Sequence, residues 1–401
     1  MRRLLLLSSL VAAVIFCAAA PAASGAEKQS AAPSEKHKII YIVPTRHFSP
    51  EDLANIESQS ASSATIPLWT YGVTAYDGKR YPGEMVGRAP FAHGHRSTTI
   101  PTLLVPVILH FNDSGDTFDP TTPDSCSPNG GSVVSLVEQS PLFQNATFSM
   151  NGVNVGSAQY LDAFERGNFW SFVRGTPYHT VFASNPKVLP AVTIDVDPSV
   201  GQTQAGVCHD LGILDQGVWD SHVQTTLIPA LAAQGVGPAN FPQFVFNSVA
   251  MYLNGNPSDC CALGYHNAYL NGGVFQTYSV NDFDNSGVFG GDTSVMSHEV
   301  AEWMDDPNGM NPVPAWGAEG QVPAGQCQNN LEVGDPLSPG FSTPTNPFSV
   351  TMPNGVNYTL QELTYFSWFY GETPSFGSGG LYSDNGTFRG YAIACPPGGT
   401  H

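Results

Sequence analysis

The sequence predicts an α+β fold, a mixed sheet with a long backing helix and a metal-bearing helix, preceded by a β-rich N-terminal portion. Two helical stretches, at residues 211–235 and 292–307, enclose β-type runs at residues 244–253, 263–270 and 274–280. A long helix, a strong strand, two edge-like strands and a polar helix, in that order, are typical of an α+β core. Upstream, apolar runs bounded by turn-forming clusters indicate strands.

The chain begins with the features of an export signal. Arg2 and Arg3 precede an apolar run at residues 4–20, and small residues at 24–26 offer a cleavage site. The apolar run is too short for a stable membrane span, so we expect a secreted or periplasmic protein with no membrane segment after signal removal. The expected organisation is a signal peptide (1–26), a flexible linker (27–37), the β-rich portion (38–190) and the domain with the metal site (191–401).

The charge of the chain limits its partners. It has 33 acidic and 14 basic side chains, a formal net charge of −19 at pH 7, and residues 1–26 contain two of the arginines and no acid. Such a surface repels nucleic acid and anionic lipid and favours cations, so nucleic acid is excluded as an expected partner. Few charged residues with 41 glycines and 33 prolines suit a loop-rich extracellular protein.

Cysteine usage agrees with export. Cys260 and Cys261 are neighbours that would bridge each other only with strain, so each is expected to have a separate partner. A bond from this pair to Cys327 would tie the strand before the polar helix to the loop after it. Cys208 is expected in a disulfide and not as a nucleophile. Apart from Cys17 in the signal, the cysteines could form up to three disulfides: Cys126, Cys208, Cys260, Cys261, Cys327 and Cys395.

The remaining elements follow from local patterns. Residues 147–155 alternate around Asn151-Gly152, which predicts a hairpin. Residues 157–173 predict a packed aromatic helix that breaks near Gly167, and residues 360–370 predict one amphipathic helix. Strands are predicted at residues 39–43, 67–73, 103–111 and 188–196.

The helix at residues 292–307 carries the chemistry. Asp292, Thr293 or Ser294 can cap it, and Pro307 cannot continue it. At about 100° per residue its side chains divide between two sides. An apolar back holds Met296, Val300, Trp303 and Met304, and a polar front holds Val295, His298, Glu299, Glu302 and Asp305.

The polar front has the spacing of a metal site. His298 and Glu302 are four residues apart and can point at one ion, and Glu299 stands where zinc hydrolases place their general base. Glu302 replaces the second histidine of H-E-x-x-H. Zinc is therefore the expected cofactor, while the additional oxygen ligand also suits calcium or manganese. A simpler interpretation is an amphipathic helix whose acidic front faces water.

The sequence around this helix resembles a known group of proteins. S-H-E-V-A-E-W-M-D-D-P at residues 297–307, Trp316, and E-V-G-D at residues 332–335 are similar to secreted bacterial proteins with an H-E-x-A-E-x-x-x-D-P signature, which read like zincin metallopeptidases. The segment C-C-A-L-G-Y-H at residues 260–266 resembles the same set. A more distant similarity extends to the phosphate-induced, EXORDIUM-like cell-wall proteins. Over residues 245–340, the resemblance implies a zincin-like fold and Glu332 or Asp335 as the third metal ligand.

Other candidate sites are less defined. His266 could be a metal ligand, could stabilise an oxyanion, or could be structural. His93 and His95 fit an exposed loop as well as a site. Residues 281–287 resemble the start of a calcium loop but lack the acid at its twelfth position, so a full EF-hand is rejected and a looser calcium site stays open.

These observations predict an exported metal-dependent hydrolase, with a peptide or protein substrate paired along an edge strand near residues 263–280. His298 and Glu302 would hold the metal with Glu332 or Asp335, and Glu299 and His266 are the catalytic candidates. The alternative is a non-catalytic extracellular or cell-wall-associated protein with a structural metal or none. A glycosidase pair is disfavoured, because Glu299 and Glu302 are only three residues apart on one helix.

Overall fold

The computed structural model of this chain describes residues 65–90, 97–289, 292–317, 327–338 and 348–390. The predicted signal peptide, linker and strand at residues 39–43, and also His93 and His95, lie outside the described residues. In chain order, the strands are β1 (Leu68–Thr74), β2 (Arg80–Val86), β3 (Thr98–Ile100), β4 (Thr102–Phe111), β5 (Thr117–Phe118), β6 (Ala146–Met150), β7 (Val153–Ala158), β8 (Thr180–Phe182), β9 (Lys187–Val188), β10 (Val192–Val196), β11 (Gly201–Gln204), β12 (Leu211–Asp215), β13 (Phe241–Asn247), β14 (Val249–Tyr252), β15 (Cys260–Ala262), β16 (Gly264–Asn271), β17 (Val274–Phe283), β18 (Pro312–Trp316), β19 (Gln328–Asn330), β20 (Phe348–Thr351) and β21 (Asn357–Leu360).

The helices are fewer than the strands in the described part of the chain. They are α1 (Val133–Glu138), α2 (Tyr160–Asn168), α3 (Trp170–Val173), α4 (Gln216–His222), α5 (Ile228–Leu231), α6 (Ser294–Asp305) and α7 (Phe366–Tyr370). A π-helical turn, Val223–Leu227, joins α4 to α5. This mixture, with a β-rich N-terminal region, confirms the predicted combination of helices and strands.

A mixed sheet forms the centre of the fold. Its strand order is β10-β4-β13-β17-β16, and the short strands β5 and β9 also pair with β4. β10, β4, β13 and β17 are parallel, whereas β16 pairs antiparallel with β17 and ends this sheet path. The predicted boundary between residues 190 and 191 therefore falls between strands of one sheet.

Helices cover both faces of the sheet because successive side chains of a strand point to opposite faces. On one face Phe244 packs against Trp219 of α4, with ring centroids 6.5 Å apart. On the other face Phe241 stacks on Trp303 of α6 at 3.6 Å, and Val245 belongs to the same core. The predicted long helical region thus covers one face and the polar helix the other.

Two predicted elements differ from the structure because the chain changes sheets. Residues 211–215 were predicted as helix but form β12, which pairs with β14 in a second sheet of order β11-β12-β14-β15. The predicted strand at residues 244–253 is two strands, since Ser248 has φ +56° and turns the chain from the central sheet into the second. Tertiary pairing, and not the local pattern, decides both segments.

The other elements follow their predictions in part, and the predicted strand at residues 188–196 is divided into β9 and β10. Asn151 and Gly152 both have positive φ and connect β6 to β7, as the hairpin signal requires. The aromatic helix breaks at Phe169, two residues after the predicted position. The predicted helix at residues 360–370 is helical only in α7, because β21 extends to Leu360.

The disulfides confirm one expectation and correct another. Cys208 is bonded to Cys126, with Cα atoms 6.0 Å apart, which excludes it as a free nucleophile. Cys260 is bonded to Cys261, not to Cys327. The expectation that each would have a separate partner was therefore wrong. Cys327 is also disulfide-bonded.

None of the described helices has the length and apolar character needed to cross a lipid bilayer.

Candidate metal centre

The polar helix α6 buries both of its sides. Its back residues Met296, Val300 and Trp303 lie in the main core. Its front is buried too, with Glu302 only 2% and Asp305 0% exposed. The interpretation of this front as an acidic face in water is therefore wrong. The polar groups of the front must find partners inside the protein.

Three side chains converge on one point at this front. Nε2 of His298 lies 3.1 Å from Oε1 of Glu302 and 3.5 Å from Oδ1 of Asp335. Ligands at about 2.1 Å around a tetrahedral zinc are about 3.4 Å apart, so these separations suit one ion. Glu302 belongs to α6 and Asp335 to the loop after β19. The site can therefore form only when this loop is packed against α6.

The hydrogen bonds around His298 fix which nitrogen faces the carboxylates. Oγ of Ser338 donates to the carbonyl of Gly334 at 3.0 Å and lies 3.2 Å from Nδ1 of His298. Because the hydroxyl proton is used on Gly334, the hydroxyl oxygen accepts from Nδ1–H. Nε2 therefore faces Glu302 and Asp335, and once it gives up its proton it would present its lone pair to an ion between them, as a metal-ligating histidine does.

The two carboxylates of this site are held in place by further donors. Oε1 of Glu302 accepts from the backbone amides of Gly334 and Asp335, each at 3.2 Å. Oδ2 of Asp335 accepts from Nε2 of Gln328 at 3.2 Å. Such supporting bonds orient metal ligands before an ion binds.

A second group lies beside the first and shares Glu302 with it. Nδ1 of His266, on β16, is 3.7 Å from Oε2 of Glu302. His266, Glu302 and Glu332 offer donor atoms that all lie within 4.8 Å of one another, as do His298, Glu302 and Asp335. Both Glu332 and Asp335, which the resemblance offered as alternatives for one ligand position, thus lie beside Glu302.

Glu299, the candidate general base, lies next to His266. Its Oε2 is 3.6 Å from Nδ1 of His266, and the residue is 7% exposed. The approach depends on Gly264 in β16, where a Cβ atom would lie 2.9 Å from Cγ of Glu299. Burial raises the pKa of Glu299 despite the opposing effect of the two histidines.

Burial and the clustering of acids shift the pKa values of the groups in the centre. Burial and then Glu302 raise the pKa of both Glu332 and Asp335 well above the usual range. Burial disfavours a charge on His298, but the acids outweigh it and raise the pKa of its imidazole to about 10. Burial likewise opposes ionisation of Glu302, yet His298 and His266 lower its pKa.

The donor set fits a divalent cation. Imidazole nitrogen with carboxylate oxygen suits zinc and manganese, and the excess of oxygen also admits calcium. Buried His, Glu and Asp groups could therefore hold a metal ion, whose identity the side chains alone do not determine.

Gly334 is a supporting residue that the motif contained but the sequence argument did not use. A Cβ atom there would lie 2.5 Å from Nδ1 of His298. We expect Gly334→Ala to displace the imidazole and weaken zinc binding by about 10- to 100-fold, the usual effect of disturbing a ligand's supporting contacts. Gly237→Ala is the matched control, since a Cβ there meets no atom within 4 Å. Competition with a chromogenic chelator measures both, and equal affinities would contradict the packing argument.

The sequence argument also missed a buried acid pair next to the centre. All four carboxylate oxygens of Glu165 (α2) and Asp305 (α6) lack a hydrogen-bond partner as ionised groups. Burial raises the pKa of Glu165 to about 7, and burial and Glu165 raise that of Asp305 well above its usual range. The pair therefore shares at least one proton near neutral pH. The sequence signal was Asp162 and Glu165, two acids at helical spacing in an otherwise apolar helix.

Glu165→Gln should become more stabilising as pH rises. The unfolded chain releases the Glu165 proton near pH 4.5, while the folded protein keeps it to about pH 7, so wild-type stability falls between these values. The shift corresponds to about 3 kcal/mol, which Gln would remove. We expect the variant's free energy of unfolding, relative to wild type, to rise by most of that amount from pH 5 to pH 8 in urea titrations. Asp195→Asn, which removes an exposed acid of β10, is the control, and a pH-independent difference for Glu165→Gln would refute the shared proton.

In the calcium-loop candidate both aspartates accept from backbone donors, although Oδ2 of Asp282 is buried without a partner. Asp284 accepts from the amides of Ser286 and Phe289 at 2.9 and 2.8 Å, and Asp282 accepts from that of Val249 at 2.9 Å. Within the described part of the chain, neither aspartate belongs to a group of possible metal ligands. These acids shape the turn after β17.

Comparison of the chain with protein-family models, with curated proteins and with solved structures found no match in any of the three sets. The resemblance to the secreted zincin-like proteins stays a prediction.

Proposed function

We propose that this protein is an exported metal-dependent hydrolase, a zinc peptidase with a zincin-like core. The observation that carries the proposal is the convergence of His298, Glu302 and Asp335, with Glu299 one residue beyond the histidine on the same helix. A structural ion would need the ligands, but it would not need an additional carboxylate beside them. Glu299 is the group that a hydrolase requires.

The roles of the side chains follow from their positions. His298, Glu302 and Asp335 would hold zinc, which when bound would act as a Lewis acid towards water and the scissile carbonyl. Glu299 would accept the proton of the attacking water and pass it to the leaving amine. Its raised pKa brings it closer to neutral pH, where a general base and acid works best.

Two features support a peptide substrate outside the cytosol. β16, which carries His266, ends the central sheet path and offers the kind of edge on which an extended peptide can pair. The disulfide between Cys126 and Cys208 suits an oxidising compartment, consistent with the signal-like N-terminus. We therefore propose a secreted or periplasmic location.

A second candidate function rests on the burial of the donors. His266 and Glu332 are each 1% exposed, which suits a closed structural site better than an open catalytic one. On this alternative, the protein is a non-catalytic extracellular or cell-wall-associated protein stabilised by its ion. His298 and Glu299 are the most exposed members of the centre, at 6% and 7%, and mark the side from which a substrate would approach.

Metal content tests the proposal directly. Elemental mass spectrometry of the purified mature protein should find zinc, and His298→Ala should lose it while keeping its circular dichroism spectrum. His110→Ala, a partly exposed histidine of β4 bonded to Thr117, is the matched control and should keep the metal. Calcium alone, or no metal in a folded protein, would remove the enzyme proposal.

A further inference from the structure

We propose that the centre holds two divalent cations, bridged by the carboxylate of Glu302. One position is formed by His298, Glu302 and Asp335, and the other by His266, Glu302 and Glu332. The inference deepens the proposed function and rests on it for the first position. It assigns His266, which the sequence left between ligand, oxyanion stabiliser and structural residue, as a ligand of the second cation.

The two oxygens of Glu302 face different histidines. Oε1 lies 3.1 Å from Nε2 of His298, whereas Oε2 lies 3.7 Å from Nδ1 of His266. The two groups of donors share Glu302, and each contains one histidine and one further acid. A carboxylate whose oxygens point into two donor sets is the usual bridge between ions about 3.5–4 Å apart.

The second position contains buried groups that no protein atom satisfies. His266 is 1% exposed, and neither of its ring nitrogens has a hydrogen-bond partner. Oε1 of Glu332 accepts from the side-chain Nδ2 of Asn330, but Oε2 has no partner and is buried as well. An unsatisfied buried polar atom costs about 1–3 kcal/mol, and a cation between His266 and Glu332 would satisfy both at once.

The formal charge of the centre also favours two ions over one. The two donor groups and Glu299 provide four acids, Glu299, Glu302, Glu332 and Asp335, while the neighbouring buried Asp306 accepts from the backbone amides of Met310 and Asn311. Among the described residues, no Lys or Arg side chain is ion-paired with any of them. With these four acids ionised, one divalent cation would leave two of their charges unbalanced, whereas two cations would balance all four. Burying unpaired charge is among the largest penalties in a protein interior.

The chain presents one acid of the loop to each position. Glu332 and Asp335 are three residues apart, and Leu331 and Val333 anchor the loop in the main core. Asn330 supports the acid of the second position and Gln328 that of the first. The two half-sites are therefore built alike, each from a histidine, the shared glutamate and a supported loop carboxylate.

Ion stoichiometry tests the two-cation centre independently of turnover. Native mass spectrometry of the full mature chain, dialysed against zinc or manganese, should show two ions per chain. We expect one ion in His266→Ala and in Glu332→Gln, one or none in His298→Ala, and two in the control His110→Ala. Glu332→Gln preserves side-chain volume and tests the position even if His266→Ala does not fold.

Manganese provides a second readout. Two ions joined by a carboxylate are exchange-coupled, so the wild type should give a coupled electron paramagnetic resonance spectrum and Glu332→Gln an uncoupled six-line spectrum. One ion per wild-type chain that is lost in His298→Ala but kept in His266→Ala and Glu332→Gln would overturn the second position and leave the proposed hydrolase intact. No bound ion in the folded wild type would overturn both.

Discussion

Glu299→Gln is expected to reduce peptide hydrolysis by about 10²- to 10⁴-fold, the usual contribution of a general base. The side chain follows His298 on α6 and lies 3.6 Å from Nδ1 of His266, but it belongs to neither donor group. The amide has nearly the same shape as the carboxyl and cannot accept the proton of water. We therefore expect the loss in kcat, with bound zinc and the melting temperature near their wild-type values.

Comparing the variant of the proposed base with a variant of a proposed ligand separates the two roles. Glu302→Gln should lose both zinc and activity, whereas Glu299→Gln should lose activity alone. Glu138→Gln, on α1, controls for the removal of an acid elsewhere. The assay uses a broad peptide library with mass-spectrometric detection of cleaved bonds. Retained turnover in Glu299→Gln would contradict the role of Glu299, and loss of zinc there would make it a ligand.

The sequence alone could predict the helix of the centre, because its determinants are local. Helical periodicity places His298 and Glu302 on one side, and Pro307 limits the C-terminal end, so α6 runs over Ser294–Asp305 close to the predicted range. The i, i+4 spacing also brings the two side chains within 3.1 Å of each other. No long-range information is needed for either feature.

The rest of the centre depends on contacts between distant segments. Glu165 and Asp305 are 140 positions apart in the chain, and only the packing of α2 against α6 makes them a pair. Whether the front of α6 faced water or the protein could not be decided from its periodicity, since both cases give the same pattern. Ser248 looked like the middle of one strand because its positive φ has no signature in a serine.

The metal-free centre favours protonated acids, whereas the metal-bound centre favours ionised ones. This difference leads to the second large expected effect. Removing the metal with a chelator should destabilise the protein by about 4 kcal/mol when the free ion had been present at a thousand times its dissociation constant. Without the ion, the acids of the centre repel one another in a buried site. The difference in stability between the two forms should widen as the pH rises.

The direction follows from the folded-state pKa values. Glu299, Glu332 and Asp335 have raised pKa values, so the metal-free protein holds protons that the unfolded chain releases above about pH 4.5, and its stability falls from there upwards. The raised pKa of His298, about 10, adds to this fall, because its contribution is complete below pH 6.5 and is lost through about 10. Glu302, with a lowered pKa, stays ionised between pH 5 and pH 8 and contributes no slope there.

Metal binding has the reverse dependence, because the ion requires ionised carboxylates and neutral imidazoles and therefore competes with protons. Urea unfolding of the zinc-loaded and chelated protein at pH 5, 6.5 and 8 should show a gap that is smallest at pH 5 and largest at pH 8. In Glu332→Gln the change of the gap with pH should be smaller, because one of the competing protons is gone. A gap that is constant over this range would mean that the acids of the centre do not exchange protons for a cation.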